Sequence, residues 1–183
     1  MKHNSFDIVV IGGGHAGVEA ALIADHYELS VLLVTMDPKA VGRMSCNPAI
    51  GGLAKGQIVR EIDVLGGLMA SLADKAGLQF KTLNKKKGRA VWSPRAQIDK
   101  RHYEKLVVKT LDASNVVVLS GEVVSLVYNG TAIGGVALRD ETKIKCKSAI
   151  VTAGTFLSGV IHIGERKIYA GRMGEERSEG LTE

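Results

Sequence analysis

Residues 8–17 read IVVIGGGHAG, an apolar run that passes without a break into Gly12-x-Gly14-x-x-Gly17. The spacing gives each glycine a separate steric task. Gly12 turns the chain sharply out of a strand, Gly14 lets backbone approach a pyrophosphate, and Gly17 lets the following helix pack closely on the strand. Two phosphates would then rest on the helix N-terminus, where N–H groups and the helix dipole favour anions. The pattern alone is weak evidence in a glycine-rich chain, so its flanks decide its meaning.

Those flanks fit. Residues 6–11, FDIVVI, have the near-continuous apolar character of a strand buried on both faces of a parallel sheet. Val18, Ala21 and Leu22 fall on one helical face, and a second apolar run at residues 31–34, VLLV, lies where a βαβ unit needs its next strand. A βαβ unit whose glycines merely turn the chain is the competing reading. The dinucleotide fingerprint also expects an acidic residue at the end of the second strand to bind ribose hydroxyls. Here Thr35 holds that place, with Asp37 two residues on. Thr35 can bond a hydroxyl but carries no charge, which leaves the cofactor's identity open.

With 183 residues, 45% of them hydrophobic, the chain can bury the core of one domain, or most of one. No apolar stretch reaches membrane-spanning length, and the first residues lead straight into a strand instead of a cleavable apolar leader. A cytoplasmic location with no membrane partner is expected. Cys46 and Cys146 are far apart, with no CxxC pairing and no histidine at ligand spacing, so neither a disulfide framework nor a metal site is expected.

The net charge of +5 is unevenly spread. Residues 81–109 hold ten Lys and Arg (Lys81, Lys85, Lys86, Lys87, Arg89, Arg95, Lys100, Arg101, Lys105, Lys109) against Asp99 and Glu104, a local +8. Such a stretch suits a polyanion through phosphate contacts; a merely solvated face is the alternative.

Further along, residues 41–83 read as a glycine-rich loop followed by helix. Asn47-Pro48 is a helix-start signal, residues 55–65 form a helix ending at Gly66-Gly67, and residues 68–75 form a second. Residues 95–112 read as a longer helix with Ile98, Leu106 and Leu111 facing inward. From Asn115 the period becomes two, and residues 116–119, 122–128, 132–139 and 143–147 read as an antiparallel meander, with Asn129-Gly130 as a hairpin turn. Cys146 alternates with Lys143, Lys145 and Lys147, which points it into the core as a structural residue. Residues 149–152 then form the next core strand, running into Ala153-Gly154-Thr155. Gly154 permits close backbone approach there; a plain strand end is the alternative.

Taken together, IGGGHAGVEAA, MSCNPAIGGLAKGQIVREIDVLGGLMA, GLQFKTLNKKKG, SPRAQIDK and TAGTFLSGVIHIG resemble successive blocks of the glucose-inhibited division protein A family. The resemblance runs the length of the chain, and SCNPAIGG is far more specific than a dinucleotide fingerprint. It implies a Rossmann-like α/β FAD-binding domain, a parallel sheet with helices plus an antiparallel β-meander at about residues 116–147. It further implies an FAD-dependent enzyme that modifies carbon 5 of the tRNA wobble uridine, adding a carboxymethylaminomethyl or aminomethyl group. NADH as reductant, methylenetetrahydrofolate as one-carbon donor, a tRNA modification GTPase in a heterotetramer-type complex, and a homodimer are implied likewise.

By the same resemblance, Gly12, Gly13, Gly14, His15, Ala16 and Gly17 form the phosphate loop. Thr35, Asn47, Gly51, Gly52, Ala153, Gly154 and Thr155 belong to the cofactor site; Val123 supplies a backbone contact to the adenine end and Ser178 a later contact. Lys81, Lys85, Lys86, Lys87, Arg89, Arg95, Lys100 and Arg101 would grip tRNA phosphates. The chain departs from the family at Arg89, where proline is usual, and at Glu175-Glu176-Arg177, a stretch usually richer in proline.

Cys46 is the candidate catalytic residue. Its thiolate would add to carbon 6 of uracil or relay protons at carbon 5. A helix start at Asn47-Pro48, with Arg43 and Lys55 nearby in sequence, would lower its pKa; a buried structural cysteine is the alternative. Family members are several times longer, with a nicotinamide-binding insertion and a helical C-terminal domain, so the chain is expected to be an N-terminal portion that is inactive alone. A folate- and FAD-dependent tRNA uridine methyltransferase, a generic flavoprotein reductase and a non-catalytic interaction module are the rival readings. SCNPAIGG speaks against the first.

Overall fold

A computed structural model describes residues 5–182 apart from residue 46. It divides into two compact units, Met1–Val41 with Asn115–Glu183, and Gly42–Ser114.

The first unit is built on the predicted βαβ. Strand β1 (Ser5–Ile11) enters the glycine turn, helix α1 (His15–His26) follows, and β2 (Val31–Thr35) returns parallel to β1. Residues 8–11 of β1 and 31–34 of β2 are continuously apolar because both faces of the sheet are covered there. Val18, Ala21 and Ala24 of α1 are buried, and Val9, Ile11, Leu32 and Val34 belong to the main core cluster with Val123, Val136 and Leu138. Val9, Val10, Leu32 and Leu33 are completely buried; each such side chain contributes on the order of 2 kcal/mol of apolar burial.

In the second unit, β3 (Ala49–Gly51), α2 (Lys55–Val64), α3 (Met69–Ala76), β4 (Gly77–Leu83), β5 (Ser93–Ile98) and α4 (Lys100–Asp112) follow in order. The three strands form an antiparallel sheet in the order β3-β5-β4. This sheet corrects two expectations. Asn47-Pro48 starts strand β3 and not a helix, and the helix that follows begins only at Lys55. Residues 95–98 are strand and not the first turn of the long helix. Pro94 disfavours helical backbone at Ser93, and Ala96 and Ile98 are buried on a period of two. The helix starts where Asp99 caps it, its carboxylate accepting the His102 N–H at 3.0 Å. Its inward stripe is Tyr103, Val107 and Leu111, while Leu106 is half-buried.

The chain then re-enters the first unit. Strands β6 (Val117–Ser120), β7 (Val123–Asn129), β8 (Ala132–Leu138) and β9 (Lys143–Val151) complete a six-stranded sheet in the order β6-β2-β1-β9-β8-β7. The meander is therefore β7-β8-β9; β6 is not part of it, but pairs parallel with β2 at the sheet edge. The strands expected at 143–147 and 149–152 are one, since Ser148 between them pairs in register with Ile8 of β1. The first part of β9 pairs antiparallel with β8, and the stretch from Lys145 onward pairs parallel with β1. Cys146 sits in the core as expected, and burial pushes its thiol pKa up. A small hairpin, β10 (Ile161–Ile163) with β11 (Arg166–Ile168), precedes the tail. Among the described residues, no helix is long and apolar enough to cross a membrane.

Candidate functional site

The glycine loop performs the steric division that its spacing predicts. Gly12 has φ +110°, and a Cβ there would stand 2.6 Å from the Thr152 carbonyl oxygen. A Cβ on Gly17 would lie 1.9 Å from the Gly12 carbonyl oxygen, so any side chain would push α1 off the strand end. Gly14 is different. Its backbone is ordinary extended N-cap geometry, it is exposed, and a Cβ would meet nothing within 4 Å. The space that its missing side chain leaves opens onto the N-terminus of α1. The N-cap glycine has no side chain to cap that end, and no acidic residue occupies the first turn. This is the arrangement that accepts a pyrophosphate, so the residues present fit a dinucleotide.

The other candidates of this unit gather around the loop in part. The Thr35 hydroxyl would lie 2.9 Å from a Cβ on Gly13, which places the uncharged ribose candidate directly beside the turn. Ala153 backs Gly12, its Cα 3.2 Å from the Cβ that Gly12 lacks. Gly154 has φ +59° and faces open space, and Thr155 is exposed beside it. His15 and Ala16 begin α1, half-buried and exposed respectively.

Val123 and Ser178 come together through a clasp that sequence reading missed. The Glu122 carboxylate accepts two hydrogen bonds from the Arg139 guanidinium at 2.6 and 2.8 Å, and a third from the Glu179 N–H at 3.1 Å. The Arg139 guanidinium holds the Glu122 carboxyl below the usual carboxylate range. Ser178 donates its N–H to Phe156 O, while its carbonyl accepts from Ser158 N–H. Gly180 lies against Val124, where a Cβ would be 2.9 Å from the Val124 carbonyl oxygen. The tail is thus laid between residues 156–158 and the start of β7, with Ser178 near Val123. One signal was available: Val123 pairs with Leu138, so opposite charges at 122 and 139 flank the open end of that hairpin.

In the second unit, Gly51 and Gly52 have φ +86° and +103°. Gly52 is buried, donates its N–H to the Pro94 carbonyl and accepts the Gly56 N–H, whereas a Cβ on Gly51 would collide with that same Pro94 carbonyl. The Asn47 carbonyl accepts the Ala49 N–H at 2.7 Å. Cys46, the candidate nucleophile, lies outside the described residues.

All eight nucleic-acid candidates belong to this unit. Lys81, Lys85, Lys86, Lys87, Arg89, Lys100 and Arg101 are exposed and Arg95 is half-buried. Lys81 and Arg95 stand directly opposite each other on β4 and β5, a placement in which like charges repel. Lys100 and Arg101 occupy the first turn of α4, the helix end that disfavours cations. Both placements cost stability in the free chain, and a bound anion would relieve them.

The glucose inhibited division protein A family model matches residues 7–183. The chain is 50% identical over 181 residues to the tRNA uridine 5-carboxymethylaminomethyl modification enzyme MnmG of a Sulfurihydrogenibium species. It is 48% identical over 181 residues to the enzyme of the same name from Aquifex aeolicus. These alignments cover 97% and 98% of the chain, but only 29% of each relative. The solved structure of Aquifex aeolicus GidA superposes with a TM-score of 0.92 at 48% identity, covering 98% of this chain and 30% of that one. With a family model matched from Asp7 of β1 onward and the glycine cradle formed, the chain belongs to the glucose inhibited division protein A family.

Proposed function

We propose that this chain supplies the pyrophosphate-binding side of an FAD site in an enzyme that modifies carbon 5 of the tRNA wobble uridine. The observation that carries the reading is the open cradle at Gly14, set in a chain about half identical to two tRNA uridine-modifying enzymes. When bound, FAD would supply the reversible hydride chemistry that side chains do not provide. The chain's own residues would do the holding. Backbone N–H groups of the loop from Gly12 to Gly17 take the pyrophosphate, Thr35 bonds a ribose hydroxyl, and Val123 with Ser178 meets the adenine end. Ala153, Gly154 and Thr155 give close backbone approach.

Cys46 is assigned the chemistry on the uracil ring, either as a thiolate adding to carbon 6 or as a proton carrier at carbon 5. The product is a carboxymethylaminomethyl or aminomethyl uridine. NADH and methylenetetrahydrofolate serve as reductant and one-carbon donor, a GTPase serves as partner, the enzyme is a homodimer, and the compartment is the cytoplasm. The basic residues of the second unit grip tRNA phosphate, which their like-charge placements support.

The test uses the protein carrying this chain at the length of its relatives. Flavin content and wobble uridine modification, measured by mass spectrometry of tRNA, are compared for the parent and Cys46→Ala. Flavin binding by both, with modification only by the parent, is expected. A parent without flavin, or a Cys46→Ala variant that modifies tRNA normally, overturns the assignment.

A further inference from the structure

The loop between β4 and β5 is closed upon itself and built around the chain's single tryptophan. Residues 84–92 read NKKKGRAVW, four cations with no acidic residue among them. Asn84 opens the loop in left-handed conformation, φ 58° and ψ 25°, and its side-chain amide donates to the Val91 carbonyl at 3.4 Å. Lys85–Lys87 and Arg89–Val91 each form a short 3₁₀ turn about Gly88, whose φ is +98°. The Trp92 Nε1–H donates to the Lys85 carbonyl at 3.2 Å, and the Trp92 N–H to the Arg89 carbonyl at 3.2 Å. Gln57 fixes the far side, its amide donating to the Trp92 carbonyl at 3.2 Å.

The indole is therefore held at its polar edge while the residue stays 40% exposed. The Arg89 guanidinium lies over one face of the ring, 5.9 Å from its centroid, which leaves the other face for a ligand. Lys85, Lys86, Lys87 and Arg89 are all exposed around it. The exposed part of an aromatic ring costs free energy in water unless something covers it. A ring set among cations is also a poor seat for an apolar protein segment, which would have to desolvate the charges. A nucleobase suits it better, since the base stacks on the ring while its own phosphates meet the cations.

We infer that Trp92 is a stacking platform for one unpaired RNA base, with Lys85, Lys86, Lys87 and Arg89 holding the phosphates on either side. This inference rests on the tRNA reading and adds to it a base contact, where the basic residues alone predict only phosphate contacts. Stacking is tolerant of base identity, because every base has a π-face. The platform consequently selects single-stranded over paired RNA without selecting sequence.

Because Trp92 is the chain's one tryptophan, its emission reports the contact directly. The chain is titrated with an anticodon stem-loop RNA, with the same stem-loop made abasic in its loop, and with inorganic polyphosphate. The intact stem-loop should quench Trp92 emission saturably. The abasic RNA and polyphosphate should bind, in a salt-dependent way, without that quenching. Trp92→Phe should keep most of the affinity for intact RNA, and Trp92→Ala should lose about tenfold. Saturable binding of the intact stem-loop without quenching overturns the platform and leaves the tRNA reading standing. Equal losses in Trp92→Phe and Trp92→Ala overturn it too, since they would make the indole only a loop anchor. Failure of every RNA and of polyphosphate to bind overturns the tRNA reading and this inference with it.

Discussion

The Thr152 hydroxyl stands 2.9 Å from the carbonyl oxygens of both Ile11 and Gly12, tying the end of β9 to the point where β1 turns into the glycine loop. The Thr152 N–H donates to Ile11 O as well, at 2.8 Å. The turn that shapes the cradle is thus braced by a residue 140 positions later in the chain. Thr152→Val keeps the shape and removes the donor, which should cost about 1–2 kcal/mol. Its denaturation midpoint should fall, and flavin held at the proposed site should dissociate more readily. An unchanged midpoint and unchanged flavin affinity would dismiss the brace.

Two glycines of one motif should fail in different ways. Gly14→Ala places a methyl group in open space, so the fold should lose only about 0.5–1 kcal/mol, the cost of alanine in place of glycine at an N-cap. Flavin or ADP binding should nevertheless weaken markedly, because the methyl group occupies the approach path of the pyrophosphate. Gly17→Ala drives a methyl group to within 1.9 Å of the Gly12 carbonyl oxygen and should destabilise the chain itself. Thermal unfolding and ADP titration separate the two, and a large loss of stability in Gly14→Ala would contradict this division of roles.

Asp7 should make stability depend on acid pH. Its carboxylate accepts from Ser30 N–H at 2.9 Å and Ser30 Oγ–H at 2.6 Å, and pairs with Lys147 Nζ at 2.6 Å. The Lys147 ammonium, followed by the Ser30 donors, holds this carboxyl well below its ordinary value of 3.8. A depressed folded-state pKa adds stability above the unfolded value and loses it as pH falls toward the folded one. The stability difference between parent and Asp7→Asn should therefore be constant above about pH 5 and shrink below it. Urea denaturation at stepped pH measures this. Parallel curves down to the most acid point would refute it.

Reversal of Lys85, Lys86, Lys87 and Arg89 to glutamate should weaken tRNA binding and flatten its salt dependence. Each phosphate that the loop no longer neutralises lowers the slope of log affinity against log salt by roughly 0.7 to 0.9. All four side chains are exposed, so folding should be unaffected, as circular dichroism can check. An unaltered salt slope would show that tRNA does not use this loop.

The local sequence determined the βαβ unit and its cradle. Continuous apolar strands, the three glycines and the short return to Val31–Thr35 are relationships between near neighbours in the chain, and periodicity with sterics reads such relationships directly. The alternation that buried Cys146 was legible for the same reason. Sequence blocks also carried the family resemblance, which the family model and the 48% identical GidA structure bear out. Tertiary structure decided whatever depends on pairing between distant segments. Residues 95–98 carry helix-compatible residues but become strand because β3 and β4 flank them. β6 resembles its meander neighbours in pattern and is drawn to the parallel edge by β2. The Glu122–Arg139 clasp, the Thr152 brace and the closed loop around Trp92 arise in the same way. Each is a hydrogen bond whose partner the chain's own order does not announce, because a single polar residue has no period and gains a geometry only when folding brings its partner to it.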